Sequence, residues 1–208
     1  MSAQDICSLD RWNDLCARLG IHHDTDIYSD LLKAHAQKHR AYHTLDHIAA
    51  CLQHLDRVKD KVERPDEIEV ALWFHDAIYQ PFSATNEEDS ADWAVSWLSE
   101  HVANLDLINR VRDHILATKT HDRPGQLDGR FMLDIDLSIL GTPPNIYDQF
   151  EVNVRREYKR VPGFIFRKKR KVILSKFLAR DHIYATEHFR QQFEDKARMN
   201  LERAISQL

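Results

Sequence analysis

Apolar residues recur along most of this chain every three or four positions, which is the period of a helix with one buried face. Residues 9–19 illustrate the pattern, because Leu9, Trp12 and Leu15 form an apolar stripe that Gly20 then ends. The same period predicts further helices in nearly every segment, at residues 27–37, 44–58, 65–79, 86–102, 104–119, 133–141, 146–160 and 166–180, and from residue 187 onward.

Residues that favour helix ends divide these segments. Pro65 and Asp66 favour the start of a helix over PDEIEVALWFHDAIY, and Pro81 favours its end. The hydroxyl of Thr44 is placed to cap the helix that follows it, and residues 123–129 (RPGQLDG) are typical of a loop. No repeat period, low-complexity tract or linker interrupts the series. The pattern therefore predicts one all-α domain, a bundle of about nine helices.

The composition is typical of a helical globular protein and bears on its expected partners and cellular compartment. Of 208 residues, 43% are hydrophobic and 30% are charged, and only 5 are glycine and 6 proline. The net charge of −4 predicts no general attraction to nucleic acid, and the basic run at 167–171 (RKKRK) is interpreted as a solvated helix face. No apolar run approaches the roughly 20 residues that span a bilayer, so no membrane partner is expected. Three cysteines without a CxxC pair, and an N-terminus without a basic signal region, predict a reducing, cytoplasmic setting.

Ionisable residues stand in the apolar segment VALWFHDAIYQ, residues 70–80, where His75 and Asp76 follow a run of apolar residues. Moving an unpaired polar group out of water costs about 2–7 kcal/mol, so such a pair needs a position at an edge or a partner inside the protein. Upstream, His43 and His47 are four residues apart, a spacing that puts both imidazoles on one helix face.

A second apolar segment, FMLDIDLSIL, contains the two acids Asp134 and Asp136. A single cation could bind these acids together with His75 and Asp76. Imidazoles together with carboxylates suit a divalent ion that keeps open positions for water or substrate. The residues therefore predict a divalent metal site, for which Mn, Fe, Co, Ni, Zn and Mg all stay candidates.

The order His47, His75-Asp76, Asp136 resembles the HD superfamily of metal-dependent phosphohydrolases. Longer words are similar to one family of predicted metal-dependent HD phosphohydrolases, and they run from about residue 27 to 205: HRAYHTLDHI, ALWFHDAIY, NEEDSA, ATKTH, LDIDLSILG, RREY and FLARDHIYATEHF. The resemblance implies a single HD-type domain over residues 1–208. Its metal-site core would lie at about 39–140, and the C-terminal helices of 145–206 would pack on it.

The resemblance also implies metal ligands and an activity. His47, His75 and Asp76 match the first three ligands of the superfamily, and Asp136 is the preferred fourth, with Asp134 as the alternative. The implied activity is hydrolysis of a phosphate mono- or diester by a water that the metal activates. The implied partner is a small phosphorylated substrate, such as a nucleotide.

Further residues in the family words are candidates for catalysis or substrate binding. The catalytic candidates are His121, Glu87 and Asp76, and the substrate-binding candidates are Arg40, His43, Asn86 and Tyr158. Structural roles are the alternatives, since Asn86 and Glu87 also suit a helix start and His43 also suits packing.

Two other function classes stay open beside hydrolysis. His114 and His121 are seven residues apart, or two helical turns, so both could face one way and hold a second metal. A di-iron oxygenase on the same helical scaffold would use them in that manner, although one of the two could instead donate to a phosphoryl group. A non-catalytic nucleotide-binding module is the remaining alternative.

Overall fold

The computed structural model describes residues 2–22, 24–122 and 124–208. Within these ranges it contains α-helices, two short 3₁₀ segments (Lys59–Lys61 and Leu137–Gly141) and no strand. The helices are α1 (Ala3–Ile6), α2 (Leu9–Arg18), α3 (Thr25–His35), α4 (Leu45–Val58), α5 (Pro65–Phe74), α6 (Asn86–His101), α7 (Leu105–Thr120), α8 (Leu127–Asp136), α9 (Pro144–Glu157), α10 (Gly163–Leu178) and α11 (Glu187–Gln207). Ten helices in the described ranges have 10 residues or more, so the prediction of an all-α fold with about nine helices is confirmed.

Polar residues stand at several helix starts, as expected for N-caps. Ser8 precedes α2, and its side chain accepts a hydrogen bond from Arg11 N at 3.2 Å. Thr44 occupies the predicted N-cap of α4, but its hydroxyl makes no capping bond and donates instead to Tyr42 O at 3.5 Å. The predicted cap interaction is therefore wrong, because the hydroxyl turns back into the preceding turn.

The helix predicted over residues 65–79 ends at Phe74. His75 is its C-cap and Asp76 lies in the turn that follows, so the pair stands at the end of α5 rather than inside it. Buried apolar residues continue beyond the helix, which is why their pattern did not reveal where it ends.

α8 begins at Leu127, inside the segment predicted as a loop at residues 123–129. The glycine-containing sequence suggested a turn, but Gly129 lies within the helix and permits a close approach. A Cβ at Gly129 would stand 2.8 Å from Pro124 Cγ, nearer than two carbon atoms can pack. The loop prediction is therefore wrong for residues 127–129, because Gly129 permits a close contact of α8 and does not form a turn.

Contacts divide the chain into two units, one that ends at Ile135 and one that comprises Asp136–Leu208. In the first unit α5 is the central helix, and residues 68–74 are all buried. Trp73 contacts Trp12 edge to face, with 5.4 Å between the ring centroids. The burial of α5 places the residue at its C-terminal end in the interior.

The second unit begins within the segment predicted as one helix at residues 133–141, where α8 gives way to a 3₁₀ segment. A Cβ at Gly141 would lie 2.5 Å from Phe193 Cβ, so glycine permits α11 to approach this segment closely. Asn200, also on α11, donates from Nδ2 to Leu140 O at 2.9 Å. These contacts join the C-terminal helix to the start of its own unit.

Domain organisation beyond these units stays a prediction. This applies to the single HD-type domain over residues 1–208 and to the packing of 145–206 on a core at 39–140. None of the helices in the described ranges has the length and the apolar content that crossing a membrane requires.

Candidate metal centre

α4 and α5 bring two histidine side chains together. His47 lies in the first turn of α4 and His75 is the C-cap of α5, and both are buried. Their Nε2 atoms are 3.1 Å apart. Asp136 is the last residue of α8, and one ligand atom from each of these three residues lies within 4.8 Å of the other two. Such a group could hold a metal ion.

The backbone of α5 sets the tautomer of His75. Its Nδ1 lies 2.9 Å from the carbonyl oxygen of Leu72, which can only accept, so Nδ1 carries the hydrogen. In the neutral ring Nε2 then holds a lone pair on the side that faces His47. A hydrogen bond of this kind on the other ring nitrogen is what orients a histidine metal ligand.

His47 also has a partner at its second ring nitrogen. The hydroxyl of Tyr42 lies 3.1 Å from His47 Nδ1, and a phenol can either donate or accept. When Tyr42 accepts the Nδ1 hydrogen, the lone pair of the neutral His47 ring lies on Nε2. Cys51, one turn further along α4, packs its sulfur 3.8 Å from both ring nitrogens. Neither residue stood out in the sequence, although the spacing of four between His47 and Cys51 indicates a shared helix face.

Asp76 brings a carboxylate to the same place. Its Oδ2 is 3.2 Å from His75 Nε2 and 3.5 Å from His47 Nε2. Ligand atoms bound to one ion at about 2.1 Å lie roughly 3 Å from each other, so these separations fit a shared ion. Burial alone would raise the pKa of the Asp76 carboxyl, but the facing imidazoles, that of His75 above all, outweigh burial and hold this pKa well below its ordinary value. Asp76 is therefore an anion that faces both rings.

The two acids of α8 have different surroundings. Asp136 belongs to the group with His47 and His75, whereas Asp134 is buried and is not part of that group. Residues two apart on a helix point about 160° away from each other, so only one of the two can face a given ion. Asp136 is also the acid that the resemblance prefers as fourth ligand, and that role stays a prediction.

Arg40 holds the turn that follows α5. Its buried guanidinium donates to backbone carbonyls at 2.7–2.9 Å, those of His43, Asp76 and Ala77. Two of these carbonyls follow the end of α5, where the helix itself offers no partner. These three bonds position the turn that carries Asp76, and the substrate contact predicted for Arg40 stays a prediction.

The start of α6 clamps the loop beyond that turn. Asn86 accepts from Gln80 N at 2.9 Å and donates to Gln80 O at 3.0 Å. Ser90 Oγ accepts from Ile78 N at 3.0 Å and donates to Ile78 O at 3.2 Å. Asn86 and Ser90 are four residues apart, so they share one face of α6. These bonds to the loop backbone explain why the NEEDSA word carries Asn86 and Ser90, and the substrate contact predicted for Asn86 stays a prediction.

His43 lies beside the metal-binding group. Its ring stacks on that of Tyr79 with 4.1 Å between centroids, and its centroid is 6.2 Å from that of His47. The side chain is half-buried, which leaves part of it accessible. This position is compatible with the predicted contact to substrate, which stays a prediction.

Three other predicted residues lie on other elements. Glu87 is in the first turn of α6, and Tyr158 is the C-cap of α9 in the second unit. His121 is the C-cap of α7 in the left-handed conformation, with φ at 52°, which is costly for a residue that has a Cβ. Lys119 donates to Ala84 O at 2.7 Å, so the end of α7 lies beside the loop before α6. The roles predicted for Glu87, His121 and Tyr158 stay predictions.

His114 belongs to a different part of the first unit. Burial lowers the pKa of its imidazole below the ordinary value, against the charges of Asp128 and Glu67, so the ring is neutral. Glu67 stands near the start of α5 and His75 at its end, about 12 Å apart along the helix. His114 is therefore remote from His75, and its sharing of a second metal with His121 stays a prediction.

Comparison of the chain with protein-family models, with curated proteins and with solved structures found no match. The resemblance to HD phosphohydrolases accordingly stays a prediction from the residues quoted above.

Proposed function

We propose that the chain is a metal-dependent hydrolase of phosphate mono- or diesters, as its resemblance to the HD superfamily implies. One observation carries the proposal: two imidazole Nε2 atoms stand 3.1 Å apart, with a carboxylate oxygen 3.2 Å from one of them. The Nδ1 hydrogen of His75 is committed to Leu72, so its Nε2 acts as an acceptor in the neutral ring. A cation between these atoms would satisfy all of them at once.

Each group in the site would contribute a definite property. A bound divalent ion would lower the pKa of a coordinated water and neutralise charge on phosphoryl oxygens. His47 and His75 would hold the ion through neutral nitrogens. Asp76 and Asp136 would each add one negative charge, so that two carboxylates balance the charge of the ion. Four protein ligands leave room for water and an ester when the ion takes more than four ligands.

Residues near the group are our candidates for handling the substrate and protons. His43 is half-buried beside His47, where a phosphoryl oxygen could approach it. His121 and Glu87 are the candidates for proton transfer, and Tyr158 is a candidate for substrate contact, each by the resemblance alone. The same resemblance supports a small phosphorylated substrate such as a nucleotide.

Elemental analysis of the purified chain, followed by a hydrolysis screen, tests the proposal. We expect about one equivalent of a divalent metal per chain. Nucleotides or small phosphoesters should be hydrolysed when that metal is restored after chelation. His75→Ala and Asp76→Ala should lose both the metal and the hydrolysis. His22→Ala, which changes an exposed histidine, is the matched control and should keep both.

Several outcomes would overturn the proposal. A chain that binds no divalent metal lacks the predicted site, and hydrolysis by metal-free His75→Ala would reject the mechanism. Tight nucleotide binding without product over many hours would favour the non-catalytic module. Two iron atoms per chain together with oxygen consumption would favour the oxygenase.

A further inference from the structure

Positive charge is concentrated in residues 159–176 of the second unit, which comprise the connection between α9 and α10 and most of α10. We call this segment the α9–α10 elbow. It contains 8 of the chain's 29 lysines and arginines and no aspartate or glutamate. The other 190 residues carry 21 basic and 33 acidic side chains. A chain whose net charge is −4 thus collects many of its cations in one segment.

The cations of the elbow have few acidic partners. An arginine elsewhere in the chain shows the usual pairing, since Arg18 in the first unit forms an ion pair with Asp66 at 2.7 Å. In the elbow Arg170 alone is paired, with Glu151 at 2.7 Å. No carboxylate of the described residues lies within 4.0 Å of the other seven cations, all of them exposed: Lys159, Arg160, Arg167, Lys168, Lys169, Lys171 and Lys176.

Large apolar side chains are exposed on the same helix. Phe164 is 69% exposed, Val172 51% and Ile173 45%, and only one residue of α10 is buried. Positions four apart share one stripe of a helix. Along the exposed face the stripe alternates between apolar and cationic residues, in the order Phe164, Lys168, Val172, Lys176.

Contacts from α9 hold the elbow in shape. Arg155 donates to Tyr158 O at 2.5 Å and to Val161 O at 3.0 Å, and its guanidinium lies 4.8 Å from the ring centroid of Phe166. These bonds tie the end of α9 to the start of α10. The exposed Phe164 therefore lies in a helical turn that these contacts hold in place.

We propose that the α9–α10 elbow is a docking surface for an anionic phospholipid membrane. Lysine and arginine beside a negatively charged leaflet gain electrostatic attraction, and apolar side chains gain by entering the boundary between headgroups and acyl chains. Long lysine side chains can bury their stems while the ammonium group stays at the headgroups. A face that alternates apolar and cationic side chains therefore finds partners for both kinds of group at such an interface.

Other partners fit this face less well. Nucleic acid would satisfy the cations, but phosphates and sugars offer little apolar contact to Val172 and Ile173. A second copy placed by a two-fold axis would set one elbow against the other and bring like charges together. The proposal departs from the sequence-based expectation that the basic run is only a solvated face and that the chain has no membrane partner.

Vesicle co-sedimentation of the full chain tests the proposal, with phosphatidylcholine vesicles that contain or lack phosphatidylserine. We expect binding to the anionic vesicles alone, and weaker binding as the salt concentration rises. The double variant Lys168→Ala/Lys171→Ala should bind about 25-fold more weakly, since each lysine near such a surface contributes about fivefold. Phe164→Ala should bind about tenfold more weakly, and Val172→Ser is a second test on the same stripe.

Matched variants outside the elbow serve as controls. Leu105→Ala removes an apolar residue that is 70% exposed in the first unit, and Lys38→Ala/Lys196→Ala removes two exposed lysines. Both should bind like the unaltered chain, and all variants should keep its melting temperature.

Three results would overturn the inference. Equal binding to both kinds of vesicle, or none to either, would remove the anionic membrane as partner. Unchanged binding by Phe164→Ala and Val172→Ser would reduce the effect to attraction between a basic surface and any polyanion. Tighter binding to a single-stranded oligonucleotide than to vesicles would assign the face to nucleic acid. Metal content and hydrolysis do not enter these measurements, so failure here leaves the proposed phosphohydrolase activity to its own test.

Discussion

The Nε2 atoms of His47 and His75 lie 3.1 Å apart although the two residues are 28 positions apart in the chain and belong to different helices. Each ring has a hydrogen-bond partner at its other nitrogen, the hydroxyl of Tyr42 for His47 and the carbonyl of Leu72 for His75. The hydrogen bonds at the two Nδ1 atoms thus fix the orientation of both rings. Under the proposed function, both rings would already be in position to bind a metal ion.

The two acids of α8 should differ in their effect on metal binding. Asp136→Asn should weaken metal affinity by roughly 100-fold, since it removes the negative charge of the proposed fourth ligand. Asp134→Asn is the matched control and should leave the affinity nearly unchanged. Competition with a chromogenic chelator measures both. A larger loss in Asp134→Asn would reverse the assignment of the fourth ligand.

Tyr42→Phe should lower metal affinity by about 10- to 100-fold, because it removes the group that orients His47 and keeps the aromatic ring. The same titration measures the effect, and the melting temperature should change little. Tyr28→Phe is the control, since it also removes one phenolic hydrogen bond, to Cys7 O at 2.9 Å. Equal affinities for Tyr42→Phe and Tyr28→Phe would argue against the orienting role.

Arg40→Ala should cost about 3 kcal/mol of unfolding free energy, because buried carbonyls of the turn after α5 lose their charged donor. Urea unfolding measures this cost. Arg156→Ala, which changes an exposed arginine, should stay within about 0.5 kcal/mol of the unaltered chain. Full stability with lost hydrolysis in Arg40→Ala would instead support the predicted contact with substrate.

His35 should make the protein less stable in acid. Burial above all, and then the charge of Arg40, lower the pKa of His35 to about 3, while an unfolded histidine has a pKa of about 6.5. Between these values the unfolded chain binds a proton that the folded chain does not. The free energy of unfolding should therefore fall as pH drops from about 6.5 toward 3, by at most about 1.4 kcal/mol per unit from this residue.

His35→Leu should reduce that slope in urea unfolding measured across this pH range. His35 Nδ1 makes no hydrogen bond within the described residues, so the substitution leaves a single weak partner, Trp73 O at 3.4 Å, without its contact. His22→Ala changes an exposed histidine and should keep the slope. An unaltered slope in His35→Leu would place the acid sensitivity elsewhere.

His121→Gly should separate backbone conformation from chemistry. Glycine accepts the left-handed φ of 52° without strain, so the free energy of unfolding should rise by about 1 kcal/mol. Hydrolysis should fall, because the imidazole is our candidate for proton transfer. His121→Asn, which tolerates the same conformation, is the control and should also lose activity. Undiminished turnover in both variants would leave His121 with a structural role alone.

Most helices followed from the sequence, but some of their ends did not. The three-to-four-residue spacing of apolar residues that predicts α2 lies within the helix itself, so the local sequence is enough to predict this helix. The end of α5 depends on Arg40, which lies 36 positions before Asp76, and no local pattern contains that contact. The sequence predicted a loop at Gly129, because no local pattern indicates that Pro124 packs against this position of the helix.

The sequence by itself determined the all-α class and the residues able to bind a metal, because helical period and side-chain chemistry are properties of neighbouring residues. Only the tertiary structure decided that Asp136 joins His47 and His75, and that Arg40 and Asn86 hold backbone. Their partners come from distant parts of the chain, and folding alone brings such groups within bonding distance.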